Sequence, residues 1–194
     1  MFSDSGGITI NHPVWSGLTF DTICKMLDYD PRVLGIEVYN DLCATAYGDP
    51  NKGWGLKFWD QALSSGRRCL GFFVPDWTVG KGRNILLVPA FAEHDCNRAY
   101  RKGEFYGAVL GSGLQFTNIT LDQDKLIVET NVKATIRLAT NKGEAYKKGD
   151  DTIFEYKIPF NTPGQPDIKF IRIEAWDDYG EQIFSQPIRF LTSK

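Results

Sequence analysis

Two histidines in 194 residues leave little imidazole for chemistry, and no cysteine pair has the Cys-x-x-Cys spacing of a structural zinc site or a redox centre. Cys24, Cys43, Cys69 and Cys96 are widely spaced and read as free thiols of a reducing compartment. No apolar run approaches the ~20 residues a transmembrane helix needs. Met1-Phe2-Ser3-Asp4 lacks the basic start and long apolar core of a signal peptide, so the expected location is the cytoplasm. Charge of either sign is not in excess: 22 Lys and Arg face 24 Asp and Glu, with the basic residues scattered. That balance gives no general attraction to nucleic acid or anionic lipid, so neither is an expected partner. A Gly-x-Ser-x-Gly elbow and a phosphate loop ending in Gly-Lys-Ser/Thr are both missing, which removes the serine hydrolases and nucleotide-binding classes built on them. There is no internal repeat, low-complexity segment or heptad pattern.

What is there is ordinary for a globular chain, 42% apolar and 24% charged. Its grammar changes part-way. Residues 1–110 alternate short apolar runs with helix-like segments, the pattern of βα units and a parallel sheet. Ile8 to Ile10 reads as a strand, and Phe20 to Leu27 as a helix with Phe20, Ile23, Cys24 and Leu27 at helical spacing behind Thr19 as N-cap. Val33 to Asn40 is an almost wholly apolar strand holding one carboxylate, Glu37, which is costly to bury without a partner. Leu56 to Ser64 predicts a helix, Leu70 to Val74 a strand, Asn84 to Val88 another, and Glu93 to Lys102 a helix closed by Gly103.

Residues 111–194 read as β throughout, with six strand-like segments between turn clusters such as Asn141-Lys142-Gly143, Thr162-Pro163-Gly164 and Asp177-Asp178-Tyr179-Gly180. That spacing predicts a small antiparallel β-sandwich. Within Ile168 to Trp176, the charges of Lys169, Arg172 and Glu174 interleave with apolar residues and predict one wet face. Gly111-Ser112-Gly113 reads as a hinge between the halves.

Four pieces in fixed order then stand out: Ile10-Asn11-His12-Pro13, Gly35-Ile36-Glu37-Val38-Tyr39-Asn40, Trp59-Asp60-Gln61-Ala62-Leu63-Ser64-Ser65-Gly66, and Val74-Pro75-Asp76. Together they resemble the second half of a PHP (polymerase and histidinol phosphatase) metal-dependent phosphoesterase. Phe170 to Ala175 with Asp178-Tyr179-Gly180 and Ser185-Gln186-Pro187-Ile188 is similar to the C-terminal β module some of these proteins carry. The resemblance implies a distorted α/β barrel whose rim gathers His, Asp and Glu around divalent metals (Mn, Zn or Fe), with a metal-bound hydroxide attacking a phosphate ester.

His12 matches the family's His-Pro ligand, and Asp76 matches the aspartate of its late Asp-x-His motif. The final histidine of that motif falls at Thr78, and the early His-x-His strand has no counterpart. Glu37 and Asn40 lie in a matching motif, beside the metal rather than on it. Trp15, Trp54 and Trp77 fall in loops beside His12 and Asp76, an aromatic rim suited to a sugar or nucleobase ring, or to packing against another part of a barrel. A complete barrel takes about 250 residues. The expected fold is therefore an incomplete PHP-like α/β barrel over 1–110, followed by a β-sandwich over 111–194.

Read from the residues alone, His12 is equally a strand-end histidine bonded to a neighbour, and Asp76 equally a turn residue after Pro75. His94 between Glu93 and Asp95 reads as a solvated helix start, and Asp177-Asp178 as turn chemistry. Two functions follow. One is a PHP-like phosphoesterase relative, weak or inactive because most ligands are absent. The other is a non-catalytic module that binds a carbohydrate or a protein. A small phosphorylated or sugar-like molecule is the expected ligand. An open sheet edge would offer a place for a second copy or a complementary barrel segment.

Overall fold

The computed structural model describes residues 6–46, 48–77, 79–109, 111, 113–141, 145–159 and 168–190; Thr78, Ser112 and the turns at Lys142-Gly143 and Thr162-Pro163-Gly164 lie outside them. The chain opens with β1 (Ile8–Ile10), α1 (Phe20–Tyr29), β2 (Val33–Asn40), α2 (Asp41–Thr45), a 3-10 turn (Pro50–Gly53), α3 (Leu56–Ser64) and β3 (Leu70–Val74). These strands form a parallel sheet in the order β1-β2-β3. The sequence signals work as read: Thr19 accepts a hydrogen bond from Thr22 N at 3.2 Å to cap α1. Gly35 is demanded by close approach, since a Cβ there would sit 1.9 Å from the Leu70 carbonyl oxygen of the neighbouring strand.

There follow β4 (Gly82–Leu86), α4 (Glu93–Lys102), β5 (Phe105–Val109), β6 (Phe116–Asp122), β7 (Lys125–Thr140), β8 (Ala145–Lys157), β9 (Phe170–Trp176), β10 (Gln182–Ser185) and β11 (Ile188–Arg189). They make one antiparallel sheet, β4-β5-β10-β9-β7-β6, with β8 also on β7 and β11 on β9. Gly103 closes α4 in the left-handed region at φ 80°.

The expected incomplete α/β barrel followed by a separate β-sandwich is corrected by this topology. The protein is mostly β, with four α-helices among the described residues and a curled antiparallel sheet. The β4-α4-β5 stretch reads as a βα unit, but β5 returns antiparallel to β4 and also pairs with β10, so the sheet runs across residue 110. A strand-helix-strand pattern does not fix strand direction; the pairing that follows does. Nor do Lys125 to Thr130 and Ala134 to Ala139 form separate strands. They are one strand whose register shifts between Glu129 and Ala134, where its partner changes from β6 to β9. Such a bulge bends a strand without a turn, and the sheet curls instead of splitting in two.

Three packed regions hold these pieces together. Ile23, Leu27, Trp59, Ala62 and Leu63 of α1 and α3 cover one face of the parallel sheet, in a core that also takes Val109, Phe170 and Phe184 from the antiparallel sheet. Leu126, Val128, Ile136, Leu138, Phe154, Ile171 and Ile173 fill the inside of the curl. On the other face of the parallel sheet, Leu34, Leu70 and Phe72 meet Phe105. The Gln186 side-chain amide donates to Gly71 O at 2.7 Å and accepts from Gly71 N at 2.9 Å, so it completes the hydrogen bonding of β3.

The expected wet face of β9 is also corrected. Arg172 and Glu174 are 1% and 3% exposed, while Lys169 stays exposed. Arg172 donates to Asp60 of α3 and, at 2.5 Å, to Glu174, and its guanidinium lies 4.4 Å from the Trp59 ring centroid. Arg137 donates to the other oxygen of Glu174. Alternation of charged and apolar residues signals two unlike faces; here α3 covers the charged one and pairs its charges.

Candidate functional site

Parallel pairing puts the C-terminal ends of β1, β2 and β3 on one edge, and each end carries a residue singled out by its sequence. β1 runs into His12-Pro13, β2 ends on Asn40, and β3 runs into Pro75-Asp76. His12 (φ 31°) and Asp76 (φ 56°) both occupy left-handed backbone, which is uncommon outside glycine. Backbone strain of this kind gathers at functional sites.

Hydrogen bonds draw these residues together through Glu37. Its Oε2 accepts from His12 N at 2.6 Å and from Asn40 Nδ2 at 2.9 Å. Asn40 Nδ2 also donates to Asp76 Oδ2 at 3.1 Å, and Asn40 Oδ1 accepts from Cys43 N at 2.9 Å, capping α2. Burial pushes the Glu37 carboxyl up, against the opposing bonds from Asn40 and His12 N–H. Cys43 is pushed up by burial and then by the charges of Asp76 and Glu37.

The His12 ring turns to its own loop: Nδ1 is 2.8 Å from Ser16 Oγ, and the ring meets Trp15 edge-on at 5.1 Å. Behind the rim, Asp41 accepts from Tyr39 OH at 2.7 Å and from Trp77 Nε1 at 3.1 Å. Burial works to raise the Asp41 carboxyl, but the bonds from Tyr39, Trp77 and the Lys81 backbone outweigh it and leave it below the usual value. Burial and the bond to Asp41 raise Tyr39. Trp15 and Trp77 remain 42% and 47% exposed, while Trp54 packs on Tyr39 and Phe184.

Of the residues expected at a metal site, His12, Glu37, Asn40 and Asp76 are therefore brought together, Trp15 and Trp77 flank them, and Thr78 lies outside the described residues. The set does not fit a divalent metal of the kind the resemblance implies. Among the described residues no group of three or more His, Cys, Asp or Glu side chains is arranged to hold one, and tight sites use three or four protein ligands.

A second feature adjoins this edge. A cavity of about 350 Å³ runs between the face of the parallel sheet and α4, lined by Gly6, Gly7, Thr9, Asn11, Leu34, Glu37, Phe72, Val74, Asn84, Asn97, Tyr100 and Arg101. Glu37 Oε2 takes both of that side chain's hydrogen bonds, and Oε1 has no partner among the described residues. Asn84 Oδ1 accepts from Phe73 N at 3.0 Å. The Tyr100 and Phe72 rings lie nearly parallel, 4° apart, with centroids 6.1 Å apart.

Sequence reasoning missed the α4 contribution. Asn97, Tyr100 and Arg101 are spaced i, i+3, i+4, one helix face, and that spacing was the available signal. Asn84 carried no signal of its own. No family model, curated protein or solved structure matches the chain.

Proposed function

We propose that the chain binds a small polyhydroxylated, sugar-like molecule in the cavity between the parallel sheet and α4. The observation that carries this reading is the buried Glu37 side chain, which keeps Oε1 without a partner among the described residues and lines a cavity with three asparagines and the Phe72 and Tyr100 rings. Planar carboxylate and amide groups accept from and donate to neighbouring hydroxyls, and an aromatic face covers the apolar side of a sugar ring. The volume suits one small molecule rather than a chain segment. An acceptor that no protein group engages and that opens to the cavity is placed to take a hydrogen bond from a ligand hydroxyl. The exposed Trp15 and Trp77 extend the same chemistry along the strand-end edge. Four free cysteines agree with a reducing compartment.

A panel of hexoses and pentoses, screened by melting temperature and followed by calorimetry, tests the proposal. A member that binds raises the melting point, because it stabilises only the folded state. Glu37→Gln removes that rise. A panel with no effect contradicts the reading.

A second reading, hydrolysis of a phosphate ester, is favoured by the left-handed backbone at both His12 and Asp76 on neighbouring strand ends. It requires metal ligands beyond those the described residues gather. Elemental analysis decides it: stoichiometric manganese, zinc or iron that disappears in His12→Ala and Asp76→Ala supports it, and metal-free protein contradicts it.

A further inference from the structure

The cavity has two charged ends. Glu37 stands at the strand-end edge, held by His12 N. Arg101 stands at the other end: its carbonyl accepts a bond from Arg68, which precedes β3, and Gly103 just beyond it abuts Leu70, the first residue of that strand. Gly6, Gly7 and Leu34, at the starts of β1 and β2, line the same end.

Neither side chain meets an opposite charge among the described residues, although Glu37 Oε2 takes hydrogen bonds from His12 N and Asn40. Glu37 and Arg101 form no ion pair with each other or with any other described residue, whereas Arg98 on the same helix meets Asp95 and Glu104. An acidic and a basic residue lining one cavity, neither of them ion-paired, mark a site shaped for a ligand with hydrogen-bond donors at one end and an anion at the other. Guanidinium suits that anion, since its fork matches phosphate and carboxylate oxygens in pairs. From Leu34 to Glu37 the strand rises about 10 Å, the reach of one sugar ring with a substituent.

We infer that the ligand is an anionic sugar, its phosphate or carboxylate held by Arg101 and its hydroxyls by Glu37, Asn84 and Asn97. The inference rests on the sugar-binding reading and adds the charge. It also places the anion at the strand starts, away from His12 and Asp76, where a metal-assisted phosphatase would hold it.

The test is calorimetry on the whole chain with neutral hexoses and pentoses, their terminal phosphates, their uronic acids, and inorganic phosphate alone. The expected result is that an anionic member binds about tenfold or more tighter than its neutral parent, the contribution of one charge-assisted hydrogen bond. Whichever anion wins, phosphate or carboxylate, identifies the source. Arg101→Met abolishes the preference, bringing each anionic member down to the affinity of its neutral parent, while the Arg68 bond to the residue-101 carbonyl survives because it is to backbone. Arg101→Lys retains part of it. Glu37→Gln weakens neutral and anionic members alike. Equal binding of neutral and anionic sugars, or a preference untouched by Arg101→Met, overturns the inference and leaves the sugar site standing. Inorganic phosphate binding as tightly as the sugar phosphate overturns it too, by removing the sugar. No binding by any member overturns both.

Discussion

Replacing Arg172 by alanine removes the charged link between α3 and the curled sheet, and its cost follows from what it leaves behind. Arg172 is 1% exposed and joins Asp60, Glu174 and the Trp59 face. Breaking a buried ion pair costs about 3–5 kcal/mol because the partner stays behind uncompensated. Two features moderate that here. The Asp60 side chain is 31% exposed and regains water, and Glu174 keeps Arg137. Against them stands the loss of a desolvated cation–π contact, about 2 kcal/mol. The net expectation is a loss of about 3–4 kcal/mol. For a chain of this size that lowers the melting temperature by about 6–16 °C. Urea unfolding of wild type and Arg172→Ala should show the midpoint shift with unchanged slope. Replacing Arg172 and Glu174 together by methionine should recover most of the loss, because it removes the stranded carboxylate while Arg137, 35% exposed, returns to water. A single-variant loss below about 1 kcal/mol would falsify the claim that the network is buried and coupled.

Glu37→Gln should stabilise the protein at neutral pH. A carboxyl whose folded-state pKa is raised favours its neutral form, so its contribution to stability is full in acid and lost as pH rises through the raised value. The gain from glutamine should therefore vanish below the ordinary carboxylate range, which melting curves at pH 3 and pH 7 check; an equal gain at both contradicts the assignment. Gly107→Ala places a Cβ 1.9 Å from Phe73 Cδ2 at the contact between the sheets, and should cost about 1–3 kcal/mol by chemical denaturation. Asp76→Gly relieves a φ of 56° and should stabilise the fold by about 1 kcal/mol; destabilisation of that size would mean the bond to Asn40 matters more than the strain.

Much of the first hundred residues was legible because local rules and tertiary context agree there. Val33–Asn40 and Leu70–Val74 form strands at the bounds read from sequence, Thr19 caps α1 and Gly103 closes α4. Pairing partners were not legible. Nothing in Gly82–Leu86 or Phe105–Val109 states that they run antiparallel, since direction depends on β10, more than seventy residues further on. The bulged β7 hid for a related reason: a register shift has no turn residue to announce it. Arg172 and Glu174 looked solvent-facing because charge alternation is identical whether water or α3 covers that face.

The site divides the same way. His12, Glu37, Asn40 and Asp76 came from motifs at strand ends, and parallel pairing assembles them. The cavity needed α4 laid across the sheet, a packing that only the three-dimensional arrangement supplies.

The most direct test of the central claim is side-chain amide NMR on the labelled protein during titration with the tightest-binding sugar. Binding in the cavity shifts the amide resonances of Asn11, Asn84 and Asn97 together, saturably, and not in Glu37→Gln. Shifts confined to the antiparallel sheet, or none at saturating sugar, would contradict the account.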